Sequence, residues 1–334
     1  MAFDIDIGYA SQAGRKDTNE DFCAAMLPPP EQAAMGSIVA IADGVSAGGL
    51  GNEAAQTTVT SLVRDYYGTP ETWDTTVAMD RIIGAQNTWL AGVNRRRQPA
   101  MGLTTLTAMV LRGQGYTLAH VGDTRAYLLR GGELTQLTHD HVATHPDLSH
   151  QLLRCIGVED RVVLDYTQGD LLVGDLFLLL SDGVHNVLNE LRLMALLDGQ
   201  GCEASASGLS EALVAAALQR GSQDNVTALV VRVRGLDHAT LQDQNRLAAQ
   251  RPIPPKLKLG EQIDGLAITA VVADNGINLV YQARDPATQK LYALKTLHPQ
   301  RAHDAEERAM LAHEAWLARR MATSRAAEHL VAVH

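Results

Sequence analysis

The sequence predicts an α+β fold: a four-layer αββα sandwich of two mainly antiparallel sheets flanked by helices, followed by a small antiparallel sheet with one helix. Three observations carry that expectation. Short apolar runs alternating with period two recur along the first 235 residues, separated by turns rich in glycine. Segments with helical spacing come in pairs between groups of strands, the order that sets helices on the outer faces of stacked sheets. After Gly235 the texture changes to Gln, Asn, Asp and Arg and then to a proline-bearing stretch, which marks a boundary.

Taken in order, Phe3 to Gln12 alternates as a strand, and Phe22 to Leu27 and Ser37 to Ala42 follow, setting Asp21 and Asp43 at strand ends. Asn52 to Tyr67 and Thr75 to Arg97 carry helical spacing, the first after the turn Gly48-Gly49-Leu50-Gly51. Strands are expected at Leu103 to Leu111, Tyr116 to Val121 and Ala126 to Leu129, with Gly131-Gly132 turning into Glu133 to Leu137; together they read as one antiparallel meander. Val162 to Tyr166 and Leu176 to Leu180 read as a strand pair, then helices near Leu188 to Leu197 and Ala206 to Gln219, and a last strand, Val226 to Val233. Residues 1–235 are therefore one domain and 236–258 a semi-stiff linker holding Pro252, Pro254 and Pro255. Residues 259–334 form a second unit, with strands at Leu266 to Val272, Leu279 to Ala283 and Tyr292 to Leu297 and a helix from about Asp304 to Met321.

At 46% hydrophobic residues the chain of 334 can bury a sizeable core. Its formal net charge of -10 argues against a general nucleic-acid surface, which needs clustered Lys and Arg. Arg95, Arg96 and Arg97, the densest basic run, read as a solvated helix end. Cys23, Cys155 and Cys202 are odd in number and lack metal-ligand spacing, so a reducing cytoplasmic setting is expected rather than a disulfide framework or zinc site. No basic segment precedes an apolar stretch at the amino terminus, and no apolar run is long enough to span a bilayer; neither export nor a membrane segment is expected.

Five short stretches set an aspartate at the tip of a strand-like run, usually beside glycine: NED at Asp21, ADG at Asp43, VGD at Asp123, SDG at Asp182 and QDN at Asp224. One Asp-Gly pair alone is ordinarily a turn. Five gathered carboxylates, partly desolvated, would repel one another, and protonation or a cation relieves that. They point to a hard-metal site suited to phosphate chemistry.

In order, NED, DG with glycines and a helix, LTTLT, VGDTR with LTHDH, LLLSDGV and SQDNVT resemble the PPM-type family, the metal-dependent serine/threonine protein phosphatases also called protein phosphatase 2C, over about Phe3 to Gly235. The resemblance implies that Asp21, Asp43, Asp182 and Asp224 hold two Mn²⁺ or Mg²⁺ ions, with the carbonyl of Gly44 as a further ligand and Asp43 bridging both. It implies that Glu20 acts through a metal-bound water and that Asp123, with Asp182, ligates a third, weaker ion. Oxygen-only ligation suits such hard cations. Two of them about 3.5 to 4 Å apart acidify a water and spread the charge of an in-line displacement at phosphorus. The family's phosphate anchor is an arginine shortly before the first acidic motif. Here Lys16 falls at the usual spacing and Arg15 lies one residue further, so both stay open; the two parallel hydrogen bonds of a guanidinium favour Arg15.

Departures from the pattern matter too. Val45 stands where eukaryotic relatives carry a histidine, and Ser46 and Ala47 replace glycines. His139, His141 and His145 read as loop histidines at the surface with no catalytic role. Only about ten residues separate His141 from Leu152, so the substrate-selecting flap is expected to be short or missing and the mouth open. Arg154 reads either as the family's arginine after the flap or as a helix-surface residue.

Leu259 to His334 resembles the beginning of the amino-terminal lobe of a bacterial eukaryotic-like protein kinase. YALKTL sets Lys295 where such kinases pair a lysine with ATP phosphates, and Glu314 is its helix partner. ADNGIN offers only Gly276 to a phosphate-covering loop, and neither an HRD-like loop nor a DFG-like metal site follows. The expectation is a partial, catalytically incompetent lobe. The expected partner is a phosphoprotein substrate, the fused kinase being one candidate. The alternative reading is a non-catalytic signalling module on the same fold that binds phosphoprotein or metal.

Overall fold

The computed structural model describes residues 3–45, 50–97, 102–143, 152–200, 204–236 and 239–322. It divides into two compact units, Met1–His238 and Ala239–His334.

In the first unit a five-stranded sheet runs in the order β1 (Asp4–Gln12), β11 (Val226–Gly235), β10 (Leu176–Leu180), β7 (Arg125–Arg130), β8 (Glu133–Gln136). A second sheet runs β2 (Asp21–Met26), β3 (Ser37–Val45), β5 (Leu106–Arg112), β6 (Gly115–Val121), β9 (Asp165–Asp170), with β4 (Leu103–Thr104) paired to β3. Neighbours in both are antiparallel. Alternation along the strands sorts their side chains into separate cores, because successive residues point to opposite faces. Val39 and Ile41 of β3 join Met109, Phe177, Leu179, Leu229 and Val231 between the sheets. Ile38, Ala40 and Ala42 face the other way, onto Val59 and Leu62 of α1 (Gly51–Asp65) and Met79, Ile83 and Leu90 of α2 (Thr75–Arg96). Leu176, Leu178 and Leu180 likewise pack with Val184 of α3 (Asp182–His185), Leu193 and Leu197 of α4 (Glu190–Gln200) and Leu209 and Leu213 of α5 (Ala206–Gln219). Three cores between four layers make the αββα sandwich.

Two pairings differ from the sequence reading. The expected meander is split between the sheets: β5 and β6 stay in one, and β7 and β8 join the other. The break falls at Gly122, whose φ of 110° only glycine adopts readily, so the chain leaves the sheet there. The strand near Val162 runs instead over Asp165–Asp170 and pairs with β6, whereas β10 lies between β11 and β7. Composition explains the separation. LFLLL is buried along its whole length and needs neighbours on both sides, while DYTQGD is partly polar and suits an edge.

In the second unit β12 (Gln262–Ile263), β13 (Leu266–Asp274), β14 (Asn278–Arg284) and β15 (Leu291–Leu297) form an antiparallel sheet in chain order. Its core is small: Leu257, Ile268, Leu279, Tyr281 and Ala283. Two helices accompany it rather than the one expected, α6 (Leu241–Gln250) and α7 (Ala305–Ala322). Helix α6 occupies part of the stretch read as linker. Its start is a capping box, with the Asp243 N–H donating to Thr240 Oγ1 at 3.2 Å and the Thr240 N–H donating to Asp243 Oδ2 at 2.6 Å. At its other end Arg308 of α7 donates to the carbonyls of Ala248 and Arg251 at 2.7 and 2.8 Å, satisfying groups that a helix terminus leaves open. Among the described residues no helix is long and apolar enough to cross a membrane.

Candidate functional site

The register of β2 on β3 sets Asp21 directly opposite Asp43. Beyond that pair β3 continues against β4, and threonines hold Asp43: its N–H donates to Thr105 Oγ1 at 2.9 Å, and its carbonyl accepts from the Thr105 N–H at 2.9 Å and from Thr104 Oγ1 at 3.0 Å. The threonines of LTTLT thus fix the Asp43 backbone. Asp182 is the first residue of α3, just past β10, and Asp224 sits in the turn before β11; these strands are neighbours, so the two arrive at one end of the sheet. Asp123 follows β6.

These five carboxylates share one electrostatic neighbourhood. Burial pushes Asp21 up to about 7, reinforced by the charges of Asp182 and Asp224. Asp43 is raised well above the usual carboxylate range by burial, then by Asp21, Asp182, Asp123 and Asp224. Burial and Asp182 push Asp123 up to about 6, and burial and Asp224 raise Asp182. Both carboxylate oxygens of Asp21 and Oδ1 of Asp182 are buried without a hydrogen-bond partner. The hydroxyls of Ser181 and Thr227 lie near enough to Asp21 to oppose its shift without closing an ordinary bond. Yet among the described residues no three or more His, Cys, Asp or Glu side chains are drawn close enough, as placed, to hold an ion. The donor set nonetheless fits a hard divalent cation: every donor is oxygen, and a buried anion with unused lone pairs is costly unless a charge meets it.

Around the carboxylates the loops are locked by polar contacts. Asn225 accepts from the Glu20 N–H at 2.9 Å and donates to the carbonyls of Ala13 and Thr18 at 3.0 and 2.9 Å, tying the loop between β1 and β2 at three points to the turn before β11. Glu20 Oε1 accepts from the Gly51 N–H at 2.9 Å, and the Gly44 N–H donates to the Glu20 carbonyl at 3.0 Å. Gly44 and Gly51 meet backbone to backbone; a Cβ on Gly44 would lie 2.2 Å from the Gly51 carbonyl oxygen. Both candidate phosphate anchors are at the surface. Arg15 donates to Gln223 Oε1 at 3.1 Å, and Lys16 pairs with Asp224 Oδ1 at 3.1 Å.

The family profile described as Protein phosphatase 2C matches residues 10–218, more than half of the chain. The chain belongs to the protein phosphatase 2C family. It is 30% identical over 222 residues to the serine/threonine protein phosphatase PstP of Mycobacterium tuberculosis, covering 61% of this chain but only 42% of that relative's length. Among solved structures it is similar to a serine/threonine phosphatase of S. agalactiae, at 26% identity and a TM-score of 0.62, over 69% of this chain and all of the other. It is also similar to the catalytic domain of PstP in complex with two manganese ions, at 27% identity and a TM-score of 0.57, over 70% of this chain and all of the other.

Against the protein phosphatase 2C pattern, several details differ from the sequence reading. His141 is not a surface loop residue: it is 5% exposed, accepts from the Gly122 N–H through Nδ1 at 3.1 Å and meets Asp165 Oδ2 through Nε2 at 3.0 Å. Arg154 is tied to the same carboxylate at 2.9 Å. Val45 is exposed. Ser46, Ala47, Gly48, Gly49, His145, Cys202 and most of the segment read as a short flap lie outside the described residues. Asn225 and His185 were missed. The QDN motif contains Asn225, but only its three contacts to the distant loop between β1 and β2 show its role; His185 has no motif at all, and its Nε2 donates to the Asp123 carbonyl at 2.9 Å. In the second unit Lys295 Nζ and Glu314 Oε2 pair at 2.5 Å.

Proposed function

We propose that this chain hydrolyses phosphoserine and phosphothreonine in proteins with the help of divalent cations. The observation that carries the reading is the register-locked pair Asp21 and Asp43, with carboxylate oxygens of Asp21 and Asp182 buried and unmatched beside it. Asp21, Asp43, Asp182 and Asp224, with the Gly44 carbonyl, would hold two Mn²⁺ or Mg²⁺ ions, and Asp123 with Asp182 a third. Bound there, the ions supply positive charge to the phosphoryl oxygens and an acidified water. The chain's own groups do the rest. Thr104 and Thr105 hold the Asp43 backbone, and Asn225 and Gly51 hold Glu20. Arg15 is the better phosphate anchor, because its partner Gln223 is neutral and is given up more readily than the charge pair that retains Lys16 at Asp224.

The match spans less than half of the mycobacterial relative's length, so the target is a separate proposal. Residues 259–334 are proposed to be a partial kinase amino-terminal lobe, supported by the Lys295 and Glu314 pair between strand and helix. A kinase joined to the phosphatase is then a natural substrate, since a tether raises its effective concentration. A reducing, cytoplasmic setting is proposed on the free thiols of Cys23 and Cys155.

One observation favours the non-catalytic alternative: among the described residues no three acidic side chains stand in ligating positions. Turnover of p-nitrophenyl phosphate decides between them. The enzyme reading expects Mn²⁺-dependent hydrolysis that falls at least about a hundred-fold in Asp43→Asn and Asp224→Asn. It also expects Arg15→Ala to raise KM more than Lys16→Ala does. No hydrolysis with any divalent ion would leave the binding module standing.

A further inference from the structure

Asp123 and Asp182 are placed symmetrically about one cross-strand pair. Leu180 of β10 lies opposite Arg125 of β7; Asp182 is two residues beyond the first and Asp123 two residues before the second. Past that pair the sheet supplies no further ladder bond between the two segments, and their spacing depends on side chains. His185, the last residue of α3, spans the gap: its Nε2 donates to the Asp123 carbonyl at 2.9 Å. A carbonyl can only accept, so the hydrogen is on Nε2. The ring is 6% exposed and its Nδ1 is buried with no partner, so this one bond is the polar contact for which the imidazole is kept inside.

Both ends of the strap are anchored. On the α3 side, Ser222 Oγ donates to the Gly183 carbonyl at 2.8 Å. On the other side, His141 takes both backbone polar groups of Gly122, its ring Nδ1 accepting from the N–H at 3.1 Å and its backbone N–H donating to the carbonyl at 2.7 Å. Arg125 is held by Asp140, Nε donating to Oδ1 at 3.0 Å and to Oδ2 at 3.1 Å and Nη2 to Oδ2 at 2.7 Å. A rigid turn on one side and a rigid helix start on the other leave His185 as a connection between them that sets how far apart the two carboxylates stand.

We propose that His185 is a positioning residue that holds the Asp123 turn against α3, so that Asp123 and Asp182 stay paired for one divalent cation. The inference rests on the metal-dependent reading above and adds a residue that contacts no ion itself. Groups of this kind orient ligands through the backbone, and their loss weakens the site they support while leaving others intact.

Manganese binding to the full chain, followed by electron paramagnetic resonance with no phosphate ester present, tests it. The wild type should show a tight class and a weaker class of sites. His185→Phe fills the same space without a donor and should weaken the weaker class by roughly 10- to 100-fold, leaving the tight class within about three-fold. His185→Gln restores an N–H and should recover most of the loss. An unchanged weaker class in His185→Phe overturns the inference. So does equal weakening of both classes in both variants, or failure of both to fold, since either makes His185 a packing residue. A wild type with a tight class alone overturns the inference and spares the reading beneath it. A wild type that binds no manganese overturns that reading, and the inference with it.

Discussion

At the scale of single residues, the site depends on backbones that approach more closely than side chains permit. Gly183 follows Asp182 in α3, and a Cβ there would lie 1.9 Å from the Asn225 carbonyl oxygen. Backbone cannot yield as a side-chain end can, so either α3 or the Asp224–Asn225 turn must move. Gly183→Ala should therefore cost about 1 to 3 kcal/mol of stability, the usual range for an overpacked interior. Because both segments carry an acidic residue of the site, hydrolysis should fall further than stability alone accounts for. Thermal unfolding and p-nitrophenyl phosphate turnover on the same preparation check this; a variant as stable and active as the wild type would show that the approach is not needed. Gly183 is visible in the SDG motif, but its reason is not, since the clash partner lies 42 positions away along the chain.

At the scale of elements, strands and helices were legible wherever apolar spacing was regular, and the partition of strands between sheets was not. Leu106–Arg112 and Gly115–Val121 look in sequence like the start of a meander that includes Arg125–Arg130. Nothing in period-two alternation says that Gly122 sends the chain to another layer, because alternation reports burial on a face and not which sheet provides it. The acidic residues could be found by motif, whereas Asn225 and His185 are defined by partners remote in sequence. Helix α6 was hidden for a different reason. Its ten residues are mostly polar, and its two ends are held by the Thr240–Asp243 cap and by Arg308, partners that periodicity does not reveal. Thr240→Ala should remove the cap at a cost of about 1 kcal/mol. Amides over 241–250 should then exchange several-fold faster, read by hydrogen exchange, with p-nitrophenyl phosphate turnover unaltered. Unchanged exchange would mean that the cap does not limit opening of the helix.

At the scale of the whole molecule, the crowded carboxylates make the fold's stability respond to pH and metal in opposite senses. Without divalent ions, burial and the neighbouring carboxylates push Asp21 up to about 7 in the folded protein against an ordinary value of 3.8. Between those values the folded state holds a proton that the unfolded state has released, so the contribution of Asp21 falls as pH rises through the window and stays lost above it. His120 and His185 act the other way. Burial first, then His141 for His120 and the Arg125 guanidinium for His185, push each imidazole down to about 4, so they contribute stability as pH rises toward 6.5. Comparing wild type with Asp21→Asn in EDTA cancels the histidines and isolates the carboxylate. The variant should match the wild type near pH 4 and become more stable by on the order of 2 to 4 kcal/mol above pH 7. Mn²⁺ at about a thousand times its Kd should reverse the order, because an ion binds the ionised carboxylates of the wild type and adds about 4.1 kcal/mol at that concentration. A stability difference that is flat with pH in EDTA would mean that Asp21 is not held protonated by its neighbours. An order that Mn²⁺ does not reverse would mean that its buried oxygens are not where the cation binds.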